Sequence, residues 1–295
     1  MYSDVLVGIK ERDRGRDAVA LARTLTRRAC RLTFANVDNH LHPGQSGHAL
    51  TPSALEQHGS LEMLTRLSDE LAPDAQVAID GDGSVGDGLR GMAKRLGAAL
   101  IVVGSSRRSR IGRVASGNDT LSVLHQAPCA VAVAPRGYTE TAAGVQAVGV
   151  AYDGSAQSKV ALVQARRLAR GLGAQLKALD VKQITVYGHH WDAPYAENEA
   201  IEIANERQRV GHLKGLDLSV VVGQTAVELE RFSKEVDVLV CGSRELGPVG
   251  RVMLGSTSDW LVRHARSALL VVPAVAERTP EFRHSLDLSR QPLSA

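Results

Sequence analysis

The residue types best suited to chemistry lie in two loops of the second half of the chain. Tyr152-Asp153-Gly154-Ser155 follows an apolar run, Ala147 to Ala151. Gly242-Ser243-Arg244-Glu245 follows another, Val236 to Val240, and the chain then reaches Gly255-Ser256-Thr257-Ser258. Glycines let a backbone approach phosphate closely. Gly255-Ser256-Thr257-Ser258 offers N–H groups and hydroxyls at a helix N-terminus, a place that favours anions. Asp153 is suited to accept a hydrogen bond from an exocyclic amine or a ribose hydroxyl. The plainer reading is a glycine-rich turn that caps a helix, and the residues by themselves leave both readings open.

Other polar groups offer less. His40, His42, His48 and His58 fall in one long segment of the first half, and His189-His190 in the matching segment of the second. None has the helical spacing or CxxC company of a dedicated metal site, so no metal ligand is assigned. Cys30, Cys129 and Cys241 are far apart, and the last two sit in or beside apolar runs where cysteine acts as a small hydrophobe. No nucleophile–base pair emerges from spacing and no P-loop is present, so no catalytic residue is assigned.

Asp153 and the Gly255 segment are remote in sequence, and a fold must bring them together. Ala147 to Ala151 reads as a strand and Gln157 to Leu172 as an amphipathic helix. Gln175 to Val181 reads as a strand, Tyr195 to His212 as a helix and Leu218 to Val222 as a strand. Ala226 to Lys234 is a helix with Thr225 as N-cap, Val236 to Val240 a strand, Thr257 to His264 helical, and Ala268 to Val272 the last strand. Strands alternating with helices predict a parallel, doubly wound sheet. In such sheets ligands bind beyond the carboxyl ends of strands where the winding reverses, here after strands 1 and 4.

The plan occurs twice. Val7-Gly8-Ile9 followed by Val19-Ala20-Leu21 recurs as Val148-Gly149-Val150 followed by Val160-Ala161-Leu162, a shift of 141 residues. Ile101-Val102-Val103-Gly104-Ser105 recurs as Leu239-Val240-Cys241-Gly242-Ser243, and Gly117 and Pro135 recur as Gly255 and Pro273, at a shift of 138. Repeats this long are duplicated domains. The predicted fold class is therefore α/β: two tandem, doubly wound, five-stranded parallel sheets of Rossmann-like type. The N-terminal domain covers 1–136 and the C-terminal domain 147–274. Arg136 to Gln146 reads as the linker and 275–295 as a flexible tail.

Composition narrows the function classes. Hydrophobic residues make up 44% of the 295 residues, enough for two cores, and aromatics only 3%, which suits helix-covered parallel sheets. A net charge of +3 gives no field that implies nucleic acid. The apolar runs are too short to span a bilayer. A strand pattern that starts at Asp4 leaves no room for a signal peptide, and the isolated cysteines fit a reducing compartment, so a cytoplasmic protein is expected.

The second copy resembles the universal stress protein family, from Val148-Gly149-Val150-Ala151-Tyr152-Asp153-Gly154-Ser155 to Leu269-Leu270-Val271-Val272-Pro273. ATP-binding members of that family carry glycine, two residues, glycine, nine residues, then glycine and a serine or threonine. Gly242, Gly255 and Ser256 take three of these places, and Glu245 takes the place of the second glycine. The resemblance implies that Asp153 contacts the adenosine part and Val181 lies near the base. It also implies that Gly242, Gly255, Ser256, Thr257 and Ser258 surround the phosphates of ATP, with Mg²⁺ as its usual companion. The Glu245 carboxylate would repel a triphosphate; Arg244 and Arg251 either offset it or are solvated loop residues.

The first copy departs further. Arg107 takes the second glycine place, Asn118-Asp119 replaces the Ser-Thr pair, and at the shift of 141 Arg12 stands where Asp153 does. A degenerate, mainly structural domain is expected, with Arg107, Arg108, Arg110 and Arg113 forming a solvated basic loop. The expected function is a stress-response regulatory protein that binds an adenine nucleotide in its C-terminal domain. Two alternatives stand beside it: an interaction module without nucleotide, and a slow ATPase or autophosphorylating protein acting at Ser256 or Ser258. The resemblance further implies that Ala130 to Ala134 pairs with Ala268 to Val272, which would remove two exposed sheet edges. A homodimer of tandem chains is compatible with it.

Overall fold

Strands that are continuous apolar runs must be covered on both faces, and the chain meets this with a three-layer architecture. The computed structural model describes residues 1–37, 52–81, 84–106, 111–114, 117–139, 144–183, 216–243, 252 and 254–273. In the first half these form β1 (Tyr2–Gly8), α1 (Arg12–Leu25), β2 (Thr26–Val37), α2 (Pro52–Leu71) and β3 (Gln76–Asp80). They continue as α3 (Val85–Leu96), β4 (Leu100–Gly104), α4 (Asn118–Leu124) and β5 (Ala130–Ala134). The second half adds β6 (Ala147–Ala151), α5 (Ala156–Leu172), β7 (Gln175–Lys182) and β8 (Asp217–Val222). Then come α6 (Thr225–Phe232), β9 (Val238–Gly242), α7 (Ser256–His264) and β10 (Ala268–Val272).

All ten strands belong to one sheet in the order β3-β2-β1-β4-β5-β10-β9-β6-β7-β8. Pairing within each half is parallel, and the winding reverses between β1 and β4 and again between β6 and β9. At the centre β5 and β10 run antiparallel, with Leu269 opposite Val133, Leu270 opposite Ala132 and Val271 opposite Val131. Every residue of both strands is buried. The two halves therefore continue one another's hydrogen-bond ladder, and neither last strand is left as an edge.

Strand alternation sorts side chains into two layers. Val5, Val7, Leu100, Val102, Val148, Val150, Val238 and Val240 pack on α1, α2 and α5. Leu6, Ile101, Val103, Leu239, Cys241, Leu269 and Val271 pack on α3, α4, α6 and α7. Helix ends follow local chemistry. Ser155 Oγ accepts from the Ser158 amide at 3.2 Å at the start of α5, and Gly173 ends it in the left-handed region at φ 65°.

Several expected boundaries shift by one or two residues, two of them for a visible local reason. Thr225 is the first helical residue of α6 and Gln224 its N-cap; the Thr225 hydroxyl instead accepts from Gln183 Nε2 at 3.1 Å. β9 begins at Val238 because the Asp237 carboxylate turns to the amides of Gln146 and Ala147, at 2.7 and 2.9 Å. The predicted helix 195–212 and the tail 275–295 lie outside the described residues, as do Arg107, Arg108, Arg110, Arg244, Glu245, Arg251, His40, His42, His48 and His189-His190.

Candidate functional site

At the winding reversal of the second half, the carboxyl ends of β6 and β9 part and open a cleft of about 530 Å³. Ala151, Leu179, Val181 and Leu229 give it an apolar wall; Asp153 stands at one end, and Gly255, Ser256 and Thr257 at the other. Its size falls in the ordinary range for small-molecule sites, about 300–1,000 Å³.

Asp153 is placed by a turn only glycine completes easily. Gly154 has φ 80°, which lets the chain leave β6 and enter α5 across four residues. The Asp153 carboxylate accepts the Ser155 amide at 2.9 Å. Burial raises its pKa, but hydrogen bonds from Ser155 and Ser158 outweigh that, and the carboxyl is held below its ordinary value. It is thus an anion at neutral pH, able to accept hydrogen bonds and unsuited to donate one.

At the other end, Gly255 is the N-cap of α7. The Gly255 amide donates to Ser258 Oγ at 2.8 Å, and the Ser258 hydroxyl donates back to the Gly255 carbonyl at 3.1 Å. Ser258 is buried and committed to the helix end, whereas Ser256 is exposed and Thr257 half-buried at the cleft. First-turn amides there suit an anionic group. Gly242 has a packing reason of its own: a Cβ would lie 2.7 Å from the Gln157 backbone oxygen, so α5 could not approach β9 as it does. Cys241, at the cleft floor, has its thiol pushed up to about 12 by burial and is no nucleophile at neutral pH.

The first half has the equivalent reversal but a different site. Its cleft, lined by Leu89, Val37, Val123 and Thr120, holds about 60 Å³. Lys10 Nζ crosses its mouth to Asp119 Oδ2 at 2.9 Å. The residue that replaces Asp153 is Lys10, not Arg12. The Ile9 amide donates to Ala35 O as the Tyr152 amide donates to Leu179 O, and 152 − 9 = 143, so the strand register differs by two residues from the shift of 141. Arg12 instead opens α1 and reaches Glu70 on α2 at 3.3 Å. A positive end thus stands where the second half has a negative one, and an acid occupies the helix N-terminus that Thr257 occupies there. Sequence reasoning missed this pair because the Val-Gly-Ile and Val-Gly-Val triplets match in residue type while standing two residues apart in strand register.

The structure therefore brings Asp153, Val181, Gly242, Gly255, Ser256, Thr257 and Ser258 around one cleft; Arg244 lies outside the described residues. Comparison with known proteins follows the same division. The model of the Universal stress protein family matches residues 1–135 and 144–273. The chain belongs to the universal stress protein family. As a universal stress protein it is 28% identical over 202 residues to a namesake from Mycobacterium tuberculosis (strain H37Rv), covering 64% of this chain and 69% of that one. A Mycolicibacterium smegmatis universal stress protein is 29% identical over 182 residues, 59% of this chain and 62% of its own. The solved universal stress protein of Archaeoglobus fulgidus DSM 4304 shares the fold with a TM-score of 0.64 at 16% identity, across 93% of this chain and 97% of that one. No helix among the described residues is long and apolar enough to cross a membrane.

Proposed function

We propose that this universal stress protein binds an adenine nucleotide, ATP in the first instance, in the cleft of its second half, and that the first half carries none. The observation behind the reading is the contrast between the two clefts. One is about 530 Å³, with an ionised carboxylate at one end and the first-turn amides of Ser256 and Thr257 at the other. The other is about 60 Å³, with those charges reversed and joined to each other.

The residues fit the ligand's parts. Val181 and Leu179 provide an apolar surface for the base, and Asp153 an acceptor for a ribose hydroxyl or exocyclic amine. Ser256 and Thr257 present amides and hydroxyls to the phosphates, while the bond from the Gly255 amide to Ser258 Oγ holds that helix end in shape. Mg²⁺ would enter as the counter-ion of the phosphates. A regulatory role in stress response fits a site with a binding constellation and no paired nucleophile and base among its described residues.

Equilibrium dialysis with Mg-ATP tests the reading. Wild type is expected to bind with micromolar affinity, and Asp153→Ala and Gly255→Val to bind about tenfold or more weakly, a loss of about 1.4 kcal/mol. Equal affinity in wild type and both variants would place any nucleotide elsewhere.

A further inference from the structure

The segments that lead into the two clefts' helices are each held by the opposite half. The Val252 amide donates to Ala127 O at 2.9 Å, and the Gln126 amide donates to Val252 O at 2.8 Å. The Val114 amide donates to Ala265 O at 2.8 Å. Both valines are fully buried. The differences 252 − 114 and 265 − 127 are both 138, the shift that also relates Gly117 to Gly255, so the contacts are pseudo-twofold mates across the β5–β10 seam. The symmetry is imperfect in an informative way. Gln126 has φ 61°, the positive value among described non-glycine residues, and such a backbone costs about 1–2 kcal/mol. That strain sits where its amide meets Val252.

Val252 lies three residues before Gly255, and three residues reach at most about 10 Å, so the clamp limits where α7 can begin. α7 in turn ends beside Ala265, which holds Val114, three residues ahead of the α4 N-cap Gly117. α4 runs on to Gln126 and Ala127, and the circuit closes. Every link is a backbone hydrogen bond, a helix or a short length of chain.

We propose that the first half, its own cleft small and spanned by the Lys10–Asp119 pair, serves as the positioning element for the second. Gln126 and Ala127 grip Val252 and so set the helix N-terminus against which a nucleotide's phosphates rest. Gln126 and Val252 are positioning residues and touch no ligand. The ligand rests on the nucleotide reading above; the clamp does not.

The test measures, in the full chain, amide hydrogen exchange over residues 254–264 together with Mg-ATP affinity. Gln126→Pro removes the donor and forbids positive φ, whereas Gln126→Gly keeps the donor and relieves the φ. The proline variant is expected to speed exchange in α7 and to weaken ATP binding, each about tenfold. The glycine variant should stay within about twofold of wild type on both counts. If the proline variant fails to fold, Val252→Ala, which keeps both backbone bonds but empties the buried contact, should raise exchange of the same amides about threefold. Unchanged exchange, or faster exchange with unaltered ATP affinity, overturns the proposal. Faster exchange in a chain whose wild type binds no ATP upholds the clamp and removes the nucleotide reading instead.

Discussion

Asp153 carries its charge because two serines hydrogen-bond to it more effectively than burial opposes it. Its folded pKa lies below the ordinary 3.8, so the stability it contributes is present above that value and is lost as pH falls through the folded one. Thermal melts of wild type and Asp153→Ala should accordingly differ most at neutral pH and converge as pH is lowered through 3.8 and below it. A gap that widens on acidification would mean the carboxyl is protonated in the fold. Asp153 and the Gly255-Ser256-Thr257 run were legible in the sequence because strand ends and glycines leave a clear local pattern. Lys10 was not, because its role comes from the register of β1 against β2, which no local pattern reports. The commitment of Ser258 to the Gly255 backbone matches the plainer reading of that run, a glycine-rich turn that caps a helix.

At the scale of elements, the amphipathic pattern placed α5 within one residue of its observed start, and the structure adds Ser155 and Gly173 as its caps. β10 was read at its full length because its run is bounded by polar residues on one side and a proline on the other. Gly242 illustrates how one residue joins two elements. Its missing Cβ allows the first turn of α5 to pass over the end of β9, and the obstructing atom is backbone, which cannot rotate away. Gly242→Ala is expected to cost about 1–3 kcal/mol in urea unfolding, whether or not nucleotide is present. A variant of wild-type stability with weakened ATP binding would assign the glycine to the ligand alone.

For the whole molecule, the seam is the organising feature: one ladder crosses it between β5 and β10, and two apolar layers run through both halves. The duplication and its doubly wound halves were readable from repeated segments; the seam was implied by the family resemblance, with the exposed edges as its physical motive. The contacts of Val114 and Val252 were not readable, because backbone hydrogen bonds between halves leave no mark on residue type. Separating the halves should expose β10, and a fragment of residues 144–273 is predicted to self-associate in sedimentation at micromolar concentration; a persistently monomeric fragment would contradict that. The central claim, that the duplicated fold keeps a single nucleotide site, is tested most directly by calorimetric titration of the full chain with Mg-ATP. The account predicts about one nucleotide per chain, with binding weakened by Asp153→Ala and unchanged by Lys10→Ala. Two nucleotides per chain, or binding that depends on Lys10 and not on Asp153, would contradict it.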